Sequence, residues 1–155
     1  MKRNHTYKIS LQWTGNSGKG TIDYRSYERS HRIHFEGKPI IEGSSDPVFR
    51  GDSTKHNPEE LFLSSLSACH MLWYLHLCAD EGIIVVEYQD DPVAVLSENE
   101  DGSGWFSSVI LYPRVKVSDI NMIIRAQELH EQANKMCFIA GSCNFPVRHK
   151  YDCYC

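Results

Sequence analysis

Residues Asn57 to Gly82 carry a full set of helix start and stop signals around an apolar run, and no other stretch constrains the fold as tightly. Asn57 can cap the first turn, Pro58 suits the first helical position, and Glu59 and Glu60 place negative charge on the positive end of the helix dipole. Gly82 supplies a left-handed stop. Between them Leu61, Phe62, Leu63, Leu66, Ala68, Met71, Leu72, Trp73, Leu75 and Leu77 cover nearly every face, the pattern of a helix buried on all sides. Such a helix is about 36 Å long, enough to cross a small domain. A thiol, Cys69, sits near mid-length with Ser65 one turn before it. A cysteine in that position is either plain core or a reaction centre.

A chain of 155 residues with short hairpins covers so long an apolar helix poorly. This predicts an obligate homodimer with Leu66, Trp73 or Leu77 near the two-fold axis. The length suits a single domain over residues 1–155, with residues 151–155 as a peripheral tail. A net charge of −4 without a basic patch speaks against nucleic acid as a partner. No apolar run follows Met1-Lys2-Arg3, and Ser64, Ser65, Ser67, His70 and His76 interrupt the apolar helix, so neither a signal peptide nor a membrane span is expected. Six cysteines in such a chain fit a reducing, cytoplasmic setting. The eight histidines are scattered along the sequence rather than clustered.

Tyr7, Ile9, Leu11 and Trp13 alternate with polar residues as in a half-buried strand. The glycine-rich turn Thr14–Gly20 leads into Thr21–Tyr27, read as the returning strand of a hairpin. That turn lacks the Gly-Lys-Ser/Thr ending of a phosphate loop. His31–Phe35 alternates again, and Ile40-Ile41 suits a short edge strand. His31 and His34 fall on opposite sides of their strand, so they share no metal. Gly43–His56 is a long loop holding Phe49 and Arg50, and taken alone Arg50 reads as a solvated charge. After the helix, Ile83–Tyr88, Val93–Leu96 and Trp105–Val117 are strand-like, with Pro113 near an edge. A second helix, capped by Ser118 or Asp119, spans Ile120–Met136 and ends at Cys137, and Asn144–Lys150 is a last strand. The fold class is α+β, with antiparallel sheet and segregated helices.

Cys69 and Cys137 are the candidate reactive thiols. A reactive thiol needs a cation that favours its thiolate, which Arg50 or Arg25 could supply, and Glu59 could hold the guanidinium by a forked pair. Spacing alone leaves the two cysteines unpaired. Cys153 and Cys155 with His149 and Cys143 form a candidate soft-metal set, weaker than two Cys-x-x-Cys knuckles, and no metal site is assigned to it. Cys78 reads as packing. His70 and His76 lie near opposite helix faces, each satisfied locally, and His130 lies too far along its helix to serve as a base for Cys137.

The segment Asn57-Pro58-Glu59-Glu60-Leu61 followed by Ser67-Ala68-Cys69 resembles the signature of the OsmC/Ohr family of thiol peroxidases. Cys137-Phe138-Ile139-Ala140-Gly141-Ser142 followed by Pro146-Val147 is similar to that family's second cysteine segment, and the likeness extends over roughly residues 7–150. The resemblance implies an intertwined homodimer, with antiparallel sheets from both chains around two long central helices. It implies reduction of organic hydroperoxides without a bound cofactor, an external dithiol of lipoyl type serving as reductant. Carried over by position, Cys69 matches the peroxide-attacking cysteine, Cys137 the resolving cysteine and Glu59 the glutamate that holds the catalytic arginine. Arg50 matches the arginine of OsmC-like members, while an Ohr-like placement leaves Arg25 as the nearest. A regular helix separates Glu59 from Cys69 by about 15 Å, so an arginine bridging both needs a break near Ser64–Ser67 or a partner chain. His70 stands where a phenylalanine is usual. The alternative is a non-catalytic protein of the same fold that holds a thiol, a small ligand or a metal.

Overall fold

The computed structural model describes residues 3–155. The chain, read from sequence as one domain, is laid out as two compact units that divide between Leu61 and Phe62.

The first unit holds a three-stranded antiparallel sheet of β1 (Ser10–Trp13), β2 (His31–His34) and β3 (Ile41–Gly43), in the order β1-β2-β3. Ser10 faces His34 and Ile33 faces Ile41. Thr21–Tyr27, expected as a strand, is a series of turns instead. Side chains divert its backbone: Asn16 Oδ1 accepts from the N–H groups of Gly18 and Gly20, and Asp23 Oδ1 accepts from that of Arg25. Arg29 closes the loop, its guanidinium carbon 4.3 Å from the ring centre of Tyr24 and 4.2 Å from that of Tyr27. It is therefore clamped between aromatics, not laid along a solvated strand beside Arg25.

The loop after β3 contains one 3₁₀ turn, Pro47–Phe49, capped by Asp46, whose carboxylate accepts from the Val48 N–H at 2.8 Å. Gly51 crosses Ser45 so closely that a Cβ there would lie 1.5 Å from the Ser45 carbonyl oxygen. Asn57 and Glu60 then form a reciprocal capping box, Asn57 Oδ1 accepting from the Glu60 N–H and Glu60 Oε2 from the Asn57 N–H. From it α1 (Pro58–Asp80) runs unbroken to Gly82, whose φ of 70° ends it.

In the second unit two long strands are each bent once. One comprises β4 (Val85–Asp90) and β5 (Val93–Glu98), and the other β6 (Gly104–Leu111) and β7 (Pro113–Val117). After the second helix, α2 (Ile123–Met136), the chain adds β8 (Val147–His149) beside β6 and β9 (Asp152–Tyr154) beside β7. Both added strands are parallel to their neighbours, which corrects the expectation of purely antiparallel sheets. Chain returning through a helical crossover re-enters in the same direction. The two sheets are ordered β4-β7-β9 and β5-β6-β8.

Residues 151–155, expected as a peripheral tail, thus carry a strand. Alternation explains it, since Asp152 and Tyr154 face outward while Cys153 is only 6% exposed.

α1 buries a single face, made of Leu66, His70, Tyr74, Leu77 and Cys78, against α2 and the sheets, while Leu72 on its other side is 62% exposed. Within the chain α1 is therefore covered on one face only. Leu66 and Leu77, expected near a two-fold axis, belong to the chain's own core. By length and composition α1 could also cross a bilayer, a test that the core helix of a soluble protein passes as well.

Candidate active site

Two helices of the second unit bring Cys69 and Cys137 together. Cys69 is half-buried on α1, and its thiol lies close enough to that of Cys137 to perturb it electrostatically. Cys137 ends α2, its N–H donating to the Asn134 carbonyl, and its Sγ accepts from the Ala140 N–H at 3.4 Å. The Gly141 N–H donates back to the Cys137 carbonyl, so the turn over residues 137–141 holds the thiol from both sides. Burial, and after it the neighbouring Cys69 thiol, push the Cys137 thiol up to about 11, leaving it protonated at neutral pH. A surface cavity of about 380 Å³ opens beside it, lined by Lys135, Met136, Cys137, Phe138, Gly141 and Ser142. Trp73 meets the edge of Phe138 with ring centres 5.6 Å apart.

Behind this pair lies a buried aromatic and thiol cluster. His70 Nε2 is 3.0 Å from His130 Nδ1, the rings nearly coplanar at 5°. His130 Nε2 is 3.8 Å from Cys153 Sγ, which in turn lies 3.9 Å from the Tyr74 hydroxyl. Tyr74 stacks on one face of His130 at 3.9 Å and Tyr151 on the other at 4.8 Å. His149 stands 5.5 Å from His70, and neither of its ring nitrogens has a hydrogen-bond partner. The Glu131 carboxylate comes within 3.3 Å of His149 Nε2, but off the line of a hydrogen bond. Burial pushes His70 down to about 4 and pushes His130 down further, with neighbouring imidazoles adding to both. Burial also pushes the thiols of Cys78 and Cys153 up.

The sequence reading took the histidines as scattered and His70 as satisfied locally, whereas His70, His130 and His149 meet in the core. The legible signal was the spacing of His70 and Tyr74, one turn apart on the face that carries Leu66 and Leu77, where polar residues need partners. Among the described residues no group of three or more His, Cys, Asp and Glu side chains has the geometry of a metal site, so His149, Cys153, Cys155 and Cys143 do not gather as a ligand set.

The first unit positions the candidate cations. Arg50 is exposed, its guanidinium carbon 6.0 Å from the Tyr24 ring centre. With φ at 65°, it is the one non-glycine residue of positive φ among the described residues. Arg25 is exposed on the Asp23 turn. Glu59 is half-buried in the first turn of α1, and it forms no ion pair with Arg50 among the described residues.

A family model described as OsmC-like protein matches residues 51–152, which span the capping box, both thiols and β8. The chain belongs to the OsmC-like family. Among solved structures, an OsmC-like protein of unknown function from Vibrio cholerae O1 biovar eltor is 27% identical with a TM-score of 0.85, covering 96% of this chain and 99% of its own. An organic hydroperoxide resistance protein from Elizabethkingia anophelis is 19% identical with a TM-score of 0.67, over 98% and 99% of the two chains. Another from Legionella pneumophila is 14% identical with a TM-score of 0.65, over 98% and 100%. These last two likenesses speak for the OsmC-like fold alone. No curated protein matches the sequence.

Proposed function

We propose that this OsmC-like chain is a thiol peroxidase that reduces organic hydroperoxides. The observation that carries the reading is the proximity of the Cys69 and Cys137 thiols, one half-buried and one buried and close enough to interact. Cys69 thiolate attacks the distal peroxide oxygen, an S–O bond forming as the O–O bond breaks, and the departing alkoxide takes a proton and leaves as alcohol. The Cys69 sulfenic acid then condenses with Cys137, the S–S bond replacing the S–O bond as water departs. A dithiol of lipoyl type reduces the disulfide by exchange. Arg50 stabilises the thiolate and the developing alkoxide charge, and Glu59 fixes Arg50. The exposed ring of Phe138 in the cavity wall, with the half-buried Trp73 against it, suits an apolar alkyl or aryl peroxide.

The active unit is a homodimer. α1 has no break near Ser64–Ser67, so Glu59 and Cys69 stay about 15 Å apart along its axis. One guanidinium cannot bridge that span within a chain, and a second copy therefore supplies the Arg50 and Glu59 that serve each Cys69. The exposed apolar residues Leu72, Leu11 and Trp13 suit a contact between copies. The test is steady-state consumption of cumene hydroperoxide by purified protein with dihydrolipoamide. Turnover supports the reading, and no consumption above a Cys69→Ser control defeats it.

A further inference from the structure

Disulfide closure asks that two sulfur atoms on different helices meet along a narrow line, and a directional polar bond lies close behind that pair. His70 follows Cys69 on α1, and His130 lies about two turns before Cys137 on α2. Their ring nitrogens are 3.0 Å apart, with each residue no more than 1% exposed. Apolar contacts between helices tolerate a shift along the axis, whereas a buried N–H···N bond does not, because breaking it strands two polar groups.

The His130 ring is also fixed from outside the bond. Tyr74 and Tyr151 hold the plane of His130, and Cys153 on β9 takes its second nitrogen. His70 Nδ1 is buried without a hydrogen-bond partner, so the tautomer that puts the shared proton on His70 Nε2, with His130 Nε2–H toward Cys153, is the one that strands no donor.

We infer that His70 and His130 are positioning residues whose hydrogen bond sets the register of α1 against α2 and so aligns Cys69 with Cys137 for disulfide formation. The inference deepens the peroxidase reading and rests on it for its purpose, though not for its test. His130→Phe fills the space without a donor or acceptor. His130→Asn keeps an amide, whose oxygen accepts and whose N–H donates, close to the position of Nδ1. In the His70→Phe, His130→Phe double variant both partners are apolar, which spares the stranded nitrogen while removing the tie.

The measurement is the Cys69–Cys137 disulfide equilibrium in reduced and oxidised glutathione, with the bond located by peptide mass mapping. In this exchange glutathione disulfide is reduced as the two protein thiols are oxidised, and no peroxide is needed. The expected result is a weakening of about 10- to 100-fold in His130→Phe and in the double variant, the scale of a misplacement near 1 Å. His130→Asn should stay within about threefold of the native protein, as one retained hydrogen bond implies. A double variant that folds as stably as the native chain and closes its disulfide equally well overturns the inference, as does an Asn variant no better than Phe. Native protein that closes the disulfide in glutathione yet leaves cumene hydroperoxide untouched would defeat the peroxidase reading and leave this inference standing.

Discussion

The hydroxyl of Tyr74, on α1, lies 3.9 Å from the Sγ of Cys153, on β9, and ties the last strand of the chain to the helix that carries Cys69. Residues 152–154 are therefore part of the core, paired to β7 along Arg114–Lys116. Cys153→Ala should cost about 1–2 kcal/mol, the loss of a buried sulfur and two weak polar contacts. Removing residues 152–155 should cost more than Cys153→Ala, because β7 also loses its neighbour. Cys155→Ala, at an exposed position, should change nothing. Urea midpoints of the three variants check the order, and a truncation as stable as the native chain would return the segment to the status of a tail.

Acid should loosen the same region. Burial holds the folded His70 near 4 against 6.5 for an ordinary histidine, and it lowers His130 as well. Both states are neutral above 6.5, so the histidines add no pH dependence there. Below it the unfolded chain takes up protons that the folded core refuses, and stability falls as pH drops from about 6.5 toward 4. For His70 alone the full loss is on the order of 3 kcal/mol. His149, Tyr151, Cys153 and Tyr74 face the pair and Glu131 approaches from α2, so no buried cation or carboxylate partner offsets the effect. Urea titrations at pH 7 and 5 should show the drop in the native protein and a smaller one in the His70→Phe, His130→Phe double variant.

The thiols should divide their labour. Cys69→Ser abolishes peroxide reduction, since Cys69 is the thiol that attacks in the proposed mechanism. Cys137→Ser still reacts once and accumulates the Cys69 sulfenic acid, because attack precedes resolution. Intact mass after one equivalent of cumene hydroperoxide distinguishes the species. A requirement for Cys78, Cys143 or Cys153 in turnover would refute the assignment.

What the sequence made legible was local. The cap at Asn57, the stop at Gly82, both helices and most strands follow from propensity and period, each decided within a few residues. Thr21–Tyr27 was misread because side chains of Asn16 and Asp23 compete with the ladder for its backbone, a contest that alternation does not record. The candidate thiols were legible only as residue types, since their contact depends on how α1 meets α2. The histidine cluster was the least legible, because His70, His130 and His149 are far apart in sequence and come together only through the crossover that also makes β8 parallel. The apolar girth of α1 was legible from its residues, but which face its own chain covers was not, since that depends on how α2 and the sheets meet it.

That uncovered face sets a prediction on assembly. Leu72 at 62% exposure and Leu11 at 65% are large apolar side chains facing water in the isolated chain. Light scattering at micromolar concentration should give twice the chain mass, and Leu72→Glu should shift the protein toward monomer. A sharp monomer mass for the native protein would exclude the shared active site.

The arginine is decided by backbone as well as by charge. A non-glycine residue in the left-handed region costs roughly 1 kcal/mol and persists where its surroundings hold it, which at Arg50 are the Asp46-capped turn and the close crossing of Gly51 over Ser45. Arg25 has no such constraint. Its loop is organised by backbone bonds to Asp23, and its own side chain is exposed. Arg50→Ala should slow single-turnover peroxide attack by on the order of 10²-fold, the scale of losing one oriented charge, and Arg25→Ala by far less. Arg50→Lys should recover little, because an ammonium cannot meet a sulfur and a carboxylate in one plane. Arg50→Gly separates the two roles, since glycine accepts a φ of 65° without strain. It should be as slow as Arg50→Ala in peroxide attack, yet more stable than Arg50→Ala by up to about 1 kcal/mol. If Arg25→Ala proves the crippled variant instead, the cation that serves Cys69 comes from the Asp23 turn.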